Sequence, residues 1–390
     1  MNPVPAQKTP QAIKLYGWQV SPYTAKIRSY LTYKNIPFTD NVPSFFTLNG
    51  KIKKDTGQMI MPVVYQNESA IQDSTVIMET LEAQYQERSI YPDNDVQHFL
   101  ALLLEFFADE WLPLAALHYR WNFPDNRSFI YREFGKSALP YFPSFIQTHM
   151  GKVFGSKMSG YLPVLGIEPH MQKPLEDNTH EILNNLNNHL GQYNFIFGSQ
   201  PSIADFALYG PIYSHLHRDP APENLVTPFK HIIKWINELN GDFKNTKHQW
   251  SNEDSLVASL KPLIKIWAKN HAPLIQQSIA AIAQWVNQLT PEQKSQNTKL
   301  PKFLGKASIV IDDQQAKRLN LTYGYWMFSR IYDFYHSLNT KSQQQIKNLL
   351  DDQQTIELFL QPLPCKVNLH RCRLYLNPPA TRTNTISHRG

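Results

Sequence analysis

The sequence predicts an α/β domain, a helical domain behind it, and a third block in which helices mix with short strands. Short apolar segments alternate with helical patterns in residues 12–91, which is typical of an α/β domain. Apolar residues then recur at helical spacing through residues 94–245. Residues 250–378 return to helical patterns but also contain short strand candidates. We therefore predict three units at these bounds, with flexible tails at residues 1–11 and 379–390.

The first unit is predicted to follow the order β-α-β-loop-β-β-α. The polar segment 44–57, with three lysines, is predicted to be the loop, with up to one turn of helix in it. Its third strand is entered through a proline, and a turn at 66–69 joins the last two strands into a hairpin. The predicted strands lie at 12–16, 37–42, 61–65 and 70–71, and the helices at 21–35 and about 73–87.

Long helical patterns dominate the other two units. One runs from Asp95 to Trp121 and is predicted to kink at Pro113. Ser202 and Asp205 form a capping box before a further helix, which we interpret as structural. The remaining predicted helices are 125–154, 176–192, 224–239, 256–289 (with a break at Pro273) and 322–338, and the predicted strands are 307–311, 355–360 and 373–376. The aromatic residues of helix 322–338 are interpreted as core: Tyr325, Trp326, Tyr332 and Tyr335.

Composition limits the classes of function. The chain has 390 residues, of which 42% are hydrophobic, enough for several cores. Its net charge of +6 is spread without a dense basic run, so no nucleic-acid partner is expected. The two cysteines, Cys365 and Cys372, predict free thiols, and their spacing matches no metal site. The N-terminus lacks a secretory signal pattern, and acidic residues interrupt the most apolar stretch, Phe99 to Leu117. We expect a cytoplasmic protein without a membrane partner.

Residues Leu15 to Arg28 contain the strongest candidate for chemistry. A short strand and a loop precede a helix that starts with Ser21-Pro22. The N-terminus of a helix stabilises anions, so the Ser21 hydroxyl stands where it could donate a hydrogen bond to a thiolate. Ser21 could equally be an N-cap, with Pro22 at the favoured first helical position.

Four motifs in order resemble the glutathione S-transferase family, over about residues 12–240. The first motif, Ser21-Pro22-Tyr23 with Lys26-Ile27-Arg28, is similar to the helix start of the family's serine classes, such as tau. The second and third, Met61-Pro62-Val63-Val64 and Asp73-Ser74, are similar to the family's cis-proline strand and its acidic-serine pair. The fourth, Ser202-Ile203-Ala204-Asp205-Phe206, is similar to the capping box of its helical domain. The resemblance implies an α/β thioredoxin-like N-terminal domain and an all-α glutathione-transferase C-terminal domain. The mixed α+β block behind them is a long C-terminal extension that the family pattern does not explain.

The resemblance also implies roles for the site residues. Ser21 would favour the glutathione thiolate. Met61, through a cis bond to Pro62, would present its backbone to the tripeptide. Ser74 would receive the γ-glutamyl carboxylate and Asp73 would offset the amino group, although Asp73 could also serve only as a helix cap.

The ligand of the glycyl carboxylate and the lining of the electrophile pocket each have two candidate residues. The loop before the cis-proline is longer than in tau-like sequences, and the lysine expected near the glycyl carboxylate has no clear counterpart. Lys54 and Gln58 are the candidates. Tyr119 or Trp121 could line the electrophile pocket or could be core aromatics.

Three functions follow from these residues. The first is a glutathione-dependent transferase that conjugates the thiolate to a small apolar electrophile. Glutathione would be its co-substrate and no metal is expected. A homodimer is expected because the family is usually dimeric. The second is a non-catalytic binding or scaffolding protein, which the large extension favours. The third is a glutathione-linked reductase, which the serine at position 21 disfavours because such enzymes commonly carry cysteine there.

Overall fold

A four-stranded sheet organises the first unit in the computed structural model, which describes residues 13–244 and 246–376. Residues 12, 245, 377 and 378 and both predicted tails lie outside the described residues. The strand order is β2-β1-β3-β4, with β1 and β2 parallel and the other pairs antiparallel. The parallel pair requires a crossover, which is the first helix. The strands are β1 Ile13–Tyr16, β2 Phe38–Asn41, β3 Val63–Gln66 and β4 Ser69–Gln72, and the two long helices are α1 Pro22–Tyr33 and α4 Ser74–Gln84.

The segment between β2 and β3 is helical from Phe45 to Thr56, so the loop predicted at 44–57 contains more helix than the one turn expected. Ser44 caps its first turn, and Leu48 and Ile52 are buried four residues apart on one face. That pair anchors the segment in spite of its lysines, because two buried apolar side chains outweigh an otherwise polar sequence. The segment contains α2 Phe45–Thr47, a π-helical turn Leu48–Ile52 and α3 Lys53–Thr56.

The second unit is helical throughout its described residues. The predicted long helix breaks at Trp111 rather than Pro113, because Pro113 takes the second position of the next helix, where its missing N–H is not needed. The predicted helix 125–154 is two helices joined at Leu139–Pro143. The helices are α5 Asp95–Glu110, α6 Leu112–Asn122, α7 Pro124–Ala138, α8 Ser144–Ser159, α9 Gln172–Leu190, α10 Ile203–Pro211 and α11 Lys230–Asn240.

The third unit combines six helices with two small sheets. The strand predicted at 355–360 is wrong: the Asp352 side chain accepts from the backbone N–H of Thr355 and starts a helix there. The break predicted at Pro273 falls just before it, in the π-helical turn Trp267–His271. The elements are α12 Asp254–Ile266, α13 Ala272–Asn287, α14 Pro291–Ser295, β5 Thr298–Lys299, β6 Phe303–Ile311, β7 Gln314–Leu321, α15 Tyr323–Ser337, α16 Thr340–Leu350, α17 Gln353–Leu360, β8 Val367–His370 and β9 Arg373–Leu376.

Helix α5 is the common core of all three units. It is buried along nearly its whole length, and α10 and α15 pack against it. Tyr325, Trp326 and Tyr335 of α15 are buried, which confirms that they belong to the core, whereas Tyr332 is only partly buried. None of the described helices is long and apolar enough to cross a membrane.

Candidate functional site

The loop between β1 and α1 is fixed by two hydrogen bonds to the rest of the chain. The Trp18 indole N–H donates to the carbonyl oxygen of Pro43 at 2.8 Å. The Arg120 guanidinium donates to the carbonyl oxygen of Val20 at 2.9 Å. The loop therefore reaches Ser21 in a defined conformation.

Helix α10 packs directly onto the start of α1. A Cβ atom at Gly210 would lie 2.8 Å from the carbonyl oxygen of Pro22, a distance that side chains do not tolerate. Glycine at this position allows the close approach. The N-terminus of α1 is thus buttressed on the side away from the sheet.

Ser21 caps α1, as one of its two interpretations predicts. Its backbone is extended, and Oγ accepts a hydrogen bond from the N–H of Thr24 at 3.3 Å. The hydroxyl proton is donated to no described residue. Ser21 is half-buried and lines a cavity, so the cap and an outward hydrogen bond are compatible.

That cavity has a volume of about 350 Å³ and lies between the first unit and the helical unit. Met61 lies on its wall beside Ser21. Trp121 lines it, as one interpretation predicts, whereas Tyr119 stacks on Phe123 with ring centroids 5.4 Å apart. Its other apolar walls include Trp18, Val20, Ala108, Ala116, Leu117, Phe134, Met158 and Pro211. A cavity of this size and lining suits a small apolar molecule.

Two polar side chains in the cavity wall are not predicted from the sequence. Arg120 forms a two-pronged ion pair with Asp219, at 2.8 Å and 2.9 Å, so its charge is already balanced. His215 is 95% buried. Burial lowers its pKa well below the usual range, and the Arg120 charge adds to this, whereas the backbone of Ala116 opposes it. His215 is therefore neutral, and neither of its ring nitrogens makes a hydrogen bond of good geometry with a described residue.

The Met61–Pro62 peptide bond is cis, as predicted. At the start of α4, one oxygen of the Asp73 carboxylate accepts from the N–H groups of Thr75 and Val76, at 3.0 Å and 3.2 Å. Ser74 is buried at the same helix start. Met61 and Pro62 therefore directly precede β3, and Asp73 and Ser74 stand where β4 passes into α4.

The C-terminal extension covers this helix start. The Tyr323 hydroxyl donates to the second oxygen of Asp73 at 2.8 Å. Burial raises the pKa of the Asp73 carboxyl, and the bond from Tyr323 opposes that rise. The carboxylate is thus already fully engaged by the protein.

A second part of the extension reaches Gln58. The turn between β8 and β9 places the carbonyl oxygens of Arg371 and Cys372 at 2.6 Å and 3.2 Å from the Gln58 amide nitrogen. The Cys372 thiol lies 3.3 Å from the Gln72 amide oxygen. Lys54, the other candidate for the glycyl carboxylate, is exposed on α3. Gln58 is therefore occupied, and Lys54 remains free to meet a ligand.

Residues 15–89 match the family model of the glutathione S-transferase N-terminal domain. These residues form such a domain. The resemblance seen in the sequence is confirmed, and the fold is an α/β thioredoxin-like domain followed by helices, with additional strands and helices behind them. Residues 171–242 match a second model, described as nuclear-export cofactor Arc1p. No curated protein sequence matches the chain.

Solved structures similar to the chain include several glutathione transferases. The beta-etherase LigF from Sphingobium sp. strain SYK-6 has 15% identity, covers 64% of this chain and 98% of its own, and has a TM-score of 0.43. A glutathione S-transferase from Methylobacterium radiotolerans in complex with glutathione sulfonate has 13% identity, 62% and 97% coverage and a TM-score of 0.38. Poplar glutathione transferase F1 has 15% identity, 64% and 97% coverage and a TM-score of 0.39.

The glutathione S-transferase N-terminal domain holds all five predicted site residues, Ser21, Met61, Pro62, Asp73 and Ser74. The sequence did not indicate that Tyr323, 250 residues further on, would meet Asp73. Within residues 13–244 and 246–376, no three His, Cys, Asp or Glu side chains are placed to hold a metal ion.

Proposed function

We propose that the protein is a glutathione-dependent transferase that conjugates the glutathione thiolate to a small apolar electrophile. One observation carries the proposal: the Ser21 hydroxyl, at the N-terminus of α1, faces an apolar cavity of about 350 Å³ with its proton free. Free thiols titrate at about 8.5, and both a donated hydrogen bond and a helix N-terminus favour the thiolate.

In this proposal each part of the site has one task. Ser21 donates to the glutathione sulfur. Met61 presents its backbone to the tripeptide, held by the cis bond to Pro62. The start of α4, with Asp73 and Ser74, meets the γ-glutamyl end. The structure in complex with glutathione sulfonate, of a protein similar to this one, supports glutathione as the ligand.

The reaction is a substitution. With an aryl halide as electrophile, the thiolate sulfur forms a bond to the ring carbon, and the halide leaves with the bonding electron pair. The thiol proton passes to solvent before the attack. The apolar cavity positions the ring and excludes water, so Ser21 needs to supply only the hydrogen bond to sulfur.

The test compares Ser21→Ala with Ser44→Ala in conjugation of glutathione to a chloro-dinitroaryl substrate. Both substitutions remove a serine that caps a helix, but only Ser21 lines the cavity. We expect Ser21→Ala to lower turnover about tenfold or more, since one hydrogen bond to a charged atom is worth about 1.5–3 kcal/mol. Ser44→Ala should leave turnover within twofold of the parent. Unchanged turnover in Ser21→Ala would show that the mechanism is wrong.

A second candidate is a non-catalytic binding or scaffolding protein. The observation in its favour is that Tyr323 and the β8–β9 turn already occupy the groups that would bind glutathione. Titration calorimetry with glutathione separates the two: no heat and no thermal shift support scaffolding. A reductase ranks lower, because Cys365 and Cys372 contact Tyr325 and Gln72 rather than Ser21.

Cellular location and assembly belong to the same proposal. We propose a cytoplasmic protein, because the sequence lacks a secretory signal pattern, and a homodimer, as the resemblance implies. Sedimentation equilibrium of the full chain measures the assembly directly, and a mass equal to one chain at micromolar concentration contradicts it.

A further inference from the structure

Helices α7 and α8 form a hairpin whose end is unusually apolar for a surface. Three aromatic side chains project there, and we call them the aromatic tip: Tyr141, Phe142 and Phe145. They are exposed to 97%, 43% and 74%. A cluster of exposed aromatic side chains is typical of an interaction surface, whereas a single exposed apolar side chain is not.

The hairpin that carries the aromatic tip is closely packed. A Cβ atom at Gly151 of α8 would lie 1.7 Å from the carbonyl oxygen of Tyr131 on α7, so the two backbones touch. The Gln147 side chain donates to the carbonyl oxygen of Leu139 at 3.0 Å and ties the turn to α8. The aromatic tip is therefore held in its exposed position by a closely packed hairpin.

Along α8, which begins at the aromatic tip, the lysines are not balanced by any acidic residue of that helix. Residues 134–167 contain three lysines and no aspartate or glutamate. Lys152 and Lys157 are exposed on α8 and make no ion pair with a described residue, and Lys136 reaches only Glu133, at 3.6 Å. An acid-free stretch of this length favours a negatively charged partner.

We propose that the aromatic tip docks on the surface of a bilayer that contains anionic phospholipids. Tyrosine and phenylalanine rings enter the headgroup region, and Lys152 and Lys157 of α8 meet lipid phosphates. This departs from the expectation of no membrane partner, which was based on the absence of an apolar span. Surface docking requires no span, and the proposal is independent of catalysis at Ser21.

The test is co-sedimentation of the full chain with vesicles of phosphatidylcholine, with or without phosphatidylglycerol. We expect binding to the anionic vesicles at least about tenfold tighter than to neutral ones, because lysines near the surface are attracted to anionic lipid headgroups. The double variant Tyr141→Ser/Phe145→Ser should weaken binding about tenfold. The matched control is Phe46→Ser, which removes a 64% exposed aromatic side chain on α2, outside the tip.

Three outcomes would overturn the proposal. The first is no binding to either vesicle. The second is equal loss of binding in the tip variant and in Phe46→Ser. The third is self-association of the free protein that the tip substitutions abolish while vesicle binding is absent, because the tip would then be a protein interface. Loss of anionic binding in Lys152→Gln/Lys157→Gln, with the fold intact by circular dichroism, supports the lipid assignment.

Discussion

At the scale of single residues, burial decides which groups around α5 carry charge. Glu110 lies at the C-terminal end of α5, beside a small cavity shared with Arg318 and His271. Burial raises the pKa of Glu110 to about 8, although the Arg318 charge opposes the rise. Burial also lowers the pKa of His271 to about 3. Both side chains are therefore neutral at pH 7.

The Glu110 shift predicts a loss of stability with rising pH. The unfolded chain releases the Glu110 proton near pH 4.5, whereas the folded protein keeps it until about pH 8. Stability from this group is complete below pH 4.5 and falls as pH rises through 8. Glu110→Gln should remove this decline and raise the free energy of unfolding at pH 8.5, relative to the parent, by up to about 5 kcal/mol, since each pKa unit is worth about 1.4 kcal/mol.

Urea unfolding at pH 5.5 and 8.5 measures this effect. The control is Glu223→Gln, at an exposed position, which should retain the parental pH dependence. If Glu110→Gln and the parent lose stability equally between the two pH values, Glu110 is already ionised in the folded protein.

Local residue patterns explain which site residues can be predicted from sequence. Ser21, Pro62 and Asp73 stand at a helix start, before a strand and at a second helix start, so their neighbours in sequence define their setting. His215 and Tyr323 reach the same region from distant elements. No local pattern in the sequence could identify those two, because their position depends on how the helices pack.

At the scale of elements, the two errors in prediction have different physical origins. Polar residues favour a loop with one helical turn at 44–57, but the buried Leu48 and Ile52 fix a longer helical segment there by tertiary packing. Residues 355–360 are a short-strand candidate, but the Asp352 cap, a local contact, starts a helix. In both segments the loop or strand preference of the sequence is weak enough to be overridden.

Helix α15 covers the start of α4, where the Tyr323 hydroxyl donates a hydrogen bond to Asp73. We predict that this hydrogen bond limits the access of a ligand to Asp73. Tyr323→Phe removes only the hydroxyl and leaves one Asp73 oxygen free. We expect glutathione affinity by calorimetry to rise about threefold or more, because a ligand amine no longer competes with that hydrogen bond. The control is Tyr332→Phe on the same helix, which should leave affinity unchanged. A lower affinity in Tyr323→Phe would show that the hydroxyl supports the site rather than closing it.

At the scale of the whole molecule, a chain of charges with the buried Glu105 at its centre joins the three units. Lys26 of the first unit contacts Glu105 and Asp109 of α5, at 2.9 Å and 2.7 Å. Arg330 of the extension contacts the other Glu105 oxygen at 3.1 Å and also Glu79 of α4 at 2.6 Å. Burial alone would raise the pKa of Glu105, but Lys26 and Arg330 overcome burial and lower it. The ionised Glu105 thus depends on the extension.

This dependence predicts that the whole protein loses stability when the Arg330 cation of the extension is removed. Arg330→Met keeps an apolar stem but leaves Glu79 and Glu105 without their shared cation. Removing one cation from the fully buried Glu105 carboxylate costs up to about 3–5 kcal/mol, and Lys26 remains to offset part of it. The midpoint of urea unfolding should therefore fall at pH 7, where Glu105 is ionised because Lys26 and Arg330 hold its pKa low.

The control is Lys269→Met, which removes the cation of a pair with Asp312 that is 63% and 58% exposed. An exposed pair contributes no more than about 1 kcal/mol, so this variant should unfold close to the parent. Equal, small shifts of the unfolding midpoint in both variants would mean that the ion pairs of Arg330 do not stabilise the contact between the extension and α5. A large shift in Arg330→Met alone would establish that Glu105, at the centre of α5, holds the extension against the glutathione S-transferase N-terminal domain.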